Sequence, residues 1–296
     1  MRRAAILIIA FFAWIGAFRL IVEAPMIYFM SRSGARFQEI VDTSSSNQVI
    51  FVGLASLAFL IFLTQINPVL IVSRSEVWSA HQFEELFYPA FLRGAILSAT
   101  MVLLFLGLGY YRYVGFFIQS DTPLLAILTL FARFLAVLSM VYAEEFVFRK
   151  KFLSLLKNHM HPLQVIGITA LLFTLAKAFQ FHLGWAHLFT LSLLGCALGL
   201  RAYISNEFGT GAGLLAGFLV ATYCLFSIPI LGNESQGLLL LKYQIRFDIE
   251  SPAIRLFTGG SGGLLSSVAL QLVLMGDIGI HFFKNKKMIL SSAPTT

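Results

Sequence analysis

The segment Ala143-Glu144-Glu145-Phe146-Val147-Phe148-Arg149 holds the densest chemistry in this chain. Two adjacent carboxylates are followed by an arginine four residues after the second. On a helix that spacing brings Glu145 and Arg149 to one face, where they can pair and fix each other's rotamers. Glu144 points about 100° away, so the two acids are free to serve different roles. A carboxylate held in an apolar bundle is a candidate general base acting on water. An ordinary charged helix end beside a basic loop accounts for the same residues equally well. Other ionisable side chains fall inside apolar runs, namely Arg19, Arg133, Lys177 and Asp277, and each needs a partner, a wet cavity or a route to an interface, which Arg19 near a span end reaches by snorkelling. Asp277 has no evident partner in the sequence. His182 and His187 are five residues apart, on different helical faces, and read as interfacial loop histidines, while His159 and His161 read as solvated. Cys196 and Cys224 lack the C-x-x-C spacing of a zinc or redox site. The glycines between Gly259 and Gly263 are not followed by G-K-[ST], which argues against a phosphate cradle.

The elements that must position these groups are set by composition. Of 296 residues, 58% are hydrophobic, 12% are charged and 30 are Phe. A soluble surface needs roughly 25% charged residues, so this chain cannot cover a globule with polar side chains. A cytosolic enzyme, a disordered scaffold and a nucleic-acid-binding domain are excluded. Eight stretches approach the roughly 20 apolar residues that cross a bilayer: 4–22, 50–72, 94–113, 123–143, 163–182, 187–204, 211–231 and 262–283. Residues 43–47 read as a polar, turn-rich part of a loop. With the N-terminus inside, eleven Lys and Arg face the interior against six outside, and the clusters at 149–157 and 284–287 both fall inside. The positive-inside rule then puts both termini in the cytoplasm. The expected fold is an all-α polytopic membrane protein, a bundle of about eight transmembrane helices.

The 144–149 segment also matches E-E-x-x-x-R, and in this it resembles the CAAX protease and bacteriocin-processing (CPBP) family of glutamic intramembrane proteases. The resemblance extends downstream over residues 123–283 and implies a CPBP-like core. The family's F-x-x-x-H motif aligns with Phe173 to Lys177, so the phenylalanine is kept and a lysine stands in the histidine position. Its H-x-x-x-N motif aligns with Gly217 and Ala221. The second and third motifs are therefore degenerate. By resemblance, Glu144, Glu145 and Arg149 are the catalytic candidates if the protein is active. A protonated ammonium has no lone pair to ligate a metal, so neither a metal nor another cofactor is expected. Lys177 is expected to pair with Glu144 or Glu145 and to occupy the water's place. Gly213, Gly217 and Ala221 form a small-xxx-small-xxx-small ridge, and Gly195 with Gly199 a second, of the kind that lets membrane helices approach closely.

Three units are expected: an N-terminal three-helix membrane segment over 1–122, the CPBP-like core over 123–283 and a basic cytoplasmic tail over 284–296. The leading expectation is an impaired or inactive intramembrane protease homologue that binds a membrane protein or membrane-inserted peptide. It would reside in the lipid bilayer of a bacterial inner membrane and bind no nucleic acid. The alternatives are an active glutamic intramembrane endopeptidase with Glu144 as base, and a transporter or channel subunit using Arg133, Lys177 and Asp277.

Overall fold

With no water in the hydrocarbon layer, a backbone must satisfy its own polar groups, and this sequence does so almost entirely with helices. The computed structural model describes residues 2–32, 37–65, 82–117, 123–181, 183–230, 237–243 and 252–291. The long helices are α1 (Arg2–Arg32), α2 (Phe37–Gln65), α3 (Tyr88–Gly107), α4 (Pro123–Glu145), α6 (Pro162–Gln180), α7 (Trp185–Ser205), α8 (Gly209–Leu219) and α10 (Val268–Lys284). Short helices α5 (Leu153–Lys157), α9 (Pro252–Thr258) and α11 (Lys286–Ser291) complete the set, with strands β1 (Tyr111–Phe116) and β2 (Leu239–Tyr243). Among the described residues, four helical stretches are long and apolar enough to cross a membrane: Glu84–Gly107, Pro123–Lys157, Pro162–Gln180 and Trp185–Ser205. Shorter apolar helices cover Ile6–Ala17, Gln48–Leu63 and Gly209–Leu225. The chain is an all-α integral membrane protein. Eight helical regions correspond to the eight apolar stretches, but only four of them reach spanning length by this measure.

The boundaries differ from the sequence expectation in three informative places. Residues 43–47 lie inside α2 rather than in a loop. The third span stops at Gly107, and a turn with Gly109 at φ 76° feeds β1, which pairs antiparallel with β2. Tyr111 faces Tyr243 across that ladder, and burial together with Tyr243 pushes its phenol pKa up. Most consequential, α4 does not end at the acids. It continues without a break through a π-helical stretch, Phe146–Phe152, into α5, making one 35-residue helical stretch from Pro123 to Lys157. At 1.5 Å per residue this is about 50 Å, longer than the roughly 30 Å hydrocarbon core. Arg149, Lys150 and Lys151 are thus helical residues, not a cytoplasmic loop.

Glycine sets how closely the bundle closes. α8 lies against α3, α2 against α4, and α6 against α7. At each crossing a glycine meets the neighbour's backbone. A Cβ on Gly217 would run into the Phe91 carbonyl, one on Gly53 would meet the backbone of Ala136, and one on Gly195 would lie 2.9 Å from Cα of Ala170. The small-residue ridges read from the sequence are therefore packing surfaces, as close backbone approach requires.

Candidate functional site

Continuity of α4 into α5 decides the depth of the acids. Glu144 lies thirteen residues before Lys157, and Lys177 fifteen residues after Pro162, on the next, antiparallel helix. Both are about 20 Å of helix from the 158–161 connection, so they meet at the same level. Lys177 Nζ is 2.7 Å from Glu144 Oε2, and Arg149 Nη1 is 2.9 Å from Glu145 Oε1. All four residues are closed off, with exposures of 0% for each glutamate, 2% for Arg149 and 1% for Lys177. Each contact joins opposite charges at hydrogen-bonding distance, closed off from solvent. Attraction across each pair acts in a setting where unmet donors and acceptors are costly.

Phe173, the retained motif phenylalanine, is the wall between the two cations. Its ring centroid is 4.3 Å from the Arg149 guanidinium carbon and 5.9 Å from Lys177 Nζ. Phe181 adds a second face at 5.6 Å from Lys177. Desolvated cations over aromatic faces gain attraction from the ring quadrupole. Phe173 is itself fixed edge-on by Phe148, which packs on Phe11 of α1. The first helix thus contributes to the rigidity of the site. Two of the three motif-bearing helices pass into π-helical turns at the motif, after Glu145 and again from Val220 through Ala221 to Leu225. Such turns are frequent at functional sites.

Gly211, which the sequence reading passed over, closes the other side: a Cβ there would lie 2.9 Å from Glu145 Oε2. The sequence signal was slight: Gly209-Thr210-Gly211-Ala212-Gly213 is rich in glycine, but Gly211 lies off the Gly213/Gly217 ridge and turns toward Glu145 instead. Gly211→Ala is expected to push Glu145 off Arg149 and cost about 1–3 kcal/mol by overpacking. Thermal unfolding of the purified variant in detergent is the check.

Gly217 and Ala221 do not face the acids with donors. Gly217 is pressed on the α3 backbone, and Ala221 is buried in the π turn. The neighbouring polar link is instead Thr222 Oγ1 to Ser98 Oγ at 2.7 Å, between α3 and the end of the α8 helix.

The histidines correct the sequence reading. His187 is not an interfacial loop residue: it lies in the first turn of α7, is buried, and its Nε2 is 3.0 Å from the Gly262 carbonyl. It engages the glycine-rich turn before α10 rather than either acid. His182 lies outside the described residues. His161 caps α6, its ring accepting from the Leu163 amide at 3.4 Å. Asp277 is also corrected. It pairs with Arg201 of α7 through both carboxylate oxygens, and His281 Nε2 approaches it at 3.6 Å, four residues along α10. Arg133 is buried and stacks 5.8 Å from the Tyr223 ring.

Chemically, this arrangement is a closed pair of ion pairs. The residues do not fit a bound cation, since an ammonium and a guanidinium already stand on the two carboxylates. Residues 124–218 match the family model of the Type II CAAX prenyl endopeptidase Rce1-like proteins. The likeness spans less than half of the chain. The Rce1-like segment runs from α4 into α8, and it contains Glu144, Glu145, Arg149, Phe173, Lys177 and Gly217 but stops short of Ala221. Comparison with curated proteins and with solved structures gives no match.

Proposed function

We propose that this protein is a catalytically impaired intramembrane protease homologue that uses its Rce1-like core to bind a membrane protein or a membrane-inserted peptide. The observation that carries this reading is Lys177 Nζ at 2.7 Å from Glu144 Oε2, both buried. A general base must reach the proton it takes, directly or through one water. Here the position beside Glu144 is filled by an ammonium that cannot accept a proton. Gly217 and Ala221 supply no side-chain donor for an oxyanion, and such donors are a large part of acyl-transfer catalysis.

The competing reading, a working glutamic endopeptidase, is favoured by retention of Glu144, Glu145 and Arg149. It needs a histidine beside the acids, and His187 is committed to Gly262. The test is a cleavage assay with purified protein in liposomes containing membrane-associated peptides. No cleavage above that of Glu144→Ala is expected. Turnover that vanishes in Glu144→Ala overturns the proposal. A transport role is weighed by proteoliposome flux, where sensitivity to Lys177→Met supports transport and its absence supports a binding role.

The proposed location is a bacterial inner membrane with both termini cytoplasmic. The basic residues at helix ends on the proposed cytoplasmic side, Arg2, Arg3, Lys157, Lys284, Lys286 and Lys287, support that orientation. Labelling of single cysteines introduced near each terminus in intact cells reads it directly; modification by an impermeant reagent would reverse it.

A further inference from the structure

The end of the bundle where α3 finishes and α4 and α7 begin lies opposite the Lys157 end, and it carries the ladder of β1 and β2. Arg112 and Lys242 stand directly across from each other in that ladder, and both are exposed. Directly opposed like charges destabilise a strand pair. No Asp or Glu occurs in β1, β2 or α9 to offset them, and Arg255 of α9 adds a third exposed cation. In the proposed orientation this end is exterior, where basic residues are the minority. The two facing cations are thus uncompensated within their own elements.

The surface around them is held in place by aromatic contacts. Phe105, near the end of α3, has its ring centroid 6.3 Å from Tyr110, 6.1 Å from Tyr111 and 6.0 Å from Phe257 of α9. The ladder and α9 therefore share one hub. Tyr111 and Leu241 are buried beneath the ladder, so strand alternation turns Arg112 and Lys242 away from the core. Next to them Tyr113, Val114 and Phe116 are exposed, and at the same end Trp185, the first residue of α7, is 88% exposed. Aromatic side chains at the end of a span mark the level of the lipid head groups, which puts the cations beside them at the level of the phosphates. An added peptide strand is a poor occupant. The register breaks between Tyr113 and Gly115, and bulges together with charged side chains blunt a sheet edge against further pairing.

We propose that Arg112 and Lys242 jointly bind the phosphate of an anionic phospholipid. Its acyl chains lie in the bilayer along the exposed Leu103, Leu104 and Leu108 at the end of α3, so no cavity is required. The arginine fork can meet two phosphate oxygens while the lysine acts as a point charge. A net negative head group relieves the repulsion between the two cations, which a zwitterionic one, bringing its own ammonium, does less well. This inference stands apart from the reading of the buried acids.

The full chain, purified in mild detergent and incubated with phosphatidylglycerol or phosphatidylcholine, is read by native mass spectrometry. Phosphatidylglycerol is expected to be retained about tenfold over phosphatidylcholine, a difference near 1.4 kcal/mol. Arg112→Gln combined with Lys242→Gln is expected to abolish that preference. Lys286→Gln combined with Lys287→Gln removes the same charge beyond the far end of α10 and should leave the preference in place. Equal retention of both lipids by the unaltered protein overturns the proposal, as does a preference that survives in the first double variant or disappears equally in the second. Displacement of phosphatidylglycerol by excess inorganic phosphate or by an oligoglutamate peptide would make the pair a general anion site and overturn the lipid assignment.

Discussion

Lys177→Ala is expected to destabilise the bundle by about 3–5 kcal/mol, the range found when one partner of a buried ion pair is removed. The reason lies in what remains. Glu144 is fully buried, and Lys177 is the cation that stands against it. Removing the ammonium leaves a carboxylate beside Glu145, whose own cation, Arg149, is already engaged. The lost aliphatic stem also vacates space between Phe173 and Phe181. Lys177→Met in combination with Glu144→Leu separates charge from packing, because replacing a buried pair by apolar residues of similar volume is often neutral or stabilising. The double variant should therefore recover most of the loss. The measurement is unfolding in detergent for the unaltered protein, Lys177→Ala and the double variant. Unchanged stability in Lys177→Ala would show that the pair contributes nothing, and with it the argument for a blocked base would fall.

The features that could be read from the sequence were those governed by local spacing. Composition dictated membrane helices, the i,i+4 relation of Glu145 and Arg149 dictated their pairing, and glycine at every fourth position dictated close helix crossings. The depth of Glu144 could not be read in this way. A cluster of Arg149, Lys150 and Lys151 looks like the polar end of a span. Yet Arg149 is consumed inside by Glu145 and Phe173, and Lys151 leans 5.8 Å over the Phe146 ring, so the helix runs on. The Arg201–Asp277 pair joins residues 76 positions apart, and no periodicity within one helix announces such a partner. His187 was misplaced for a related reason. A histidine near a predicted loop looks solvated until the chain folds back and presents a carbonyl from residue 262. In each case the missing information was tertiary, a choice of partner for a polar group that a low-dielectric setting does not leave alone.

Gly217→His, the substitution that would reinstate the family's third-motif histidine, is expected to prevent normal assembly of α8 against α3. A Cβ at this position falls on the Phe91 carbonyl and beside the Ala95 amide, and the neighbours repeat the constraint, Gly213 against the Phe87 carbonyl and Gly94 against the Leu214 carbonyl. These obstacles are backbone atoms within helices, so no side chain can rotate aside, and relief requires the two helices to separate. Gly217→Ala should already cost about 1–3 kcal/mol as overpacking, and histidine, larger and polar, more than that. By contrast, Lys177→His should leave this crossing untouched, since position 177 lies on α6. The consequence for function is specific. A triple variant, Lys177→His with Gly217→His and Ala221→Asn, should yield less folded protein and no Glu144-dependent peptide cleavage, while Lys177→His alone should fold and remain inactive. If the triple variant folds normally and cleaves peptide, then the glycine crossing does not exclude the family's histidine. If it fails at assembly, the backbone packing of α3 against α8 excludes the family's third-motif histidine from this bundle.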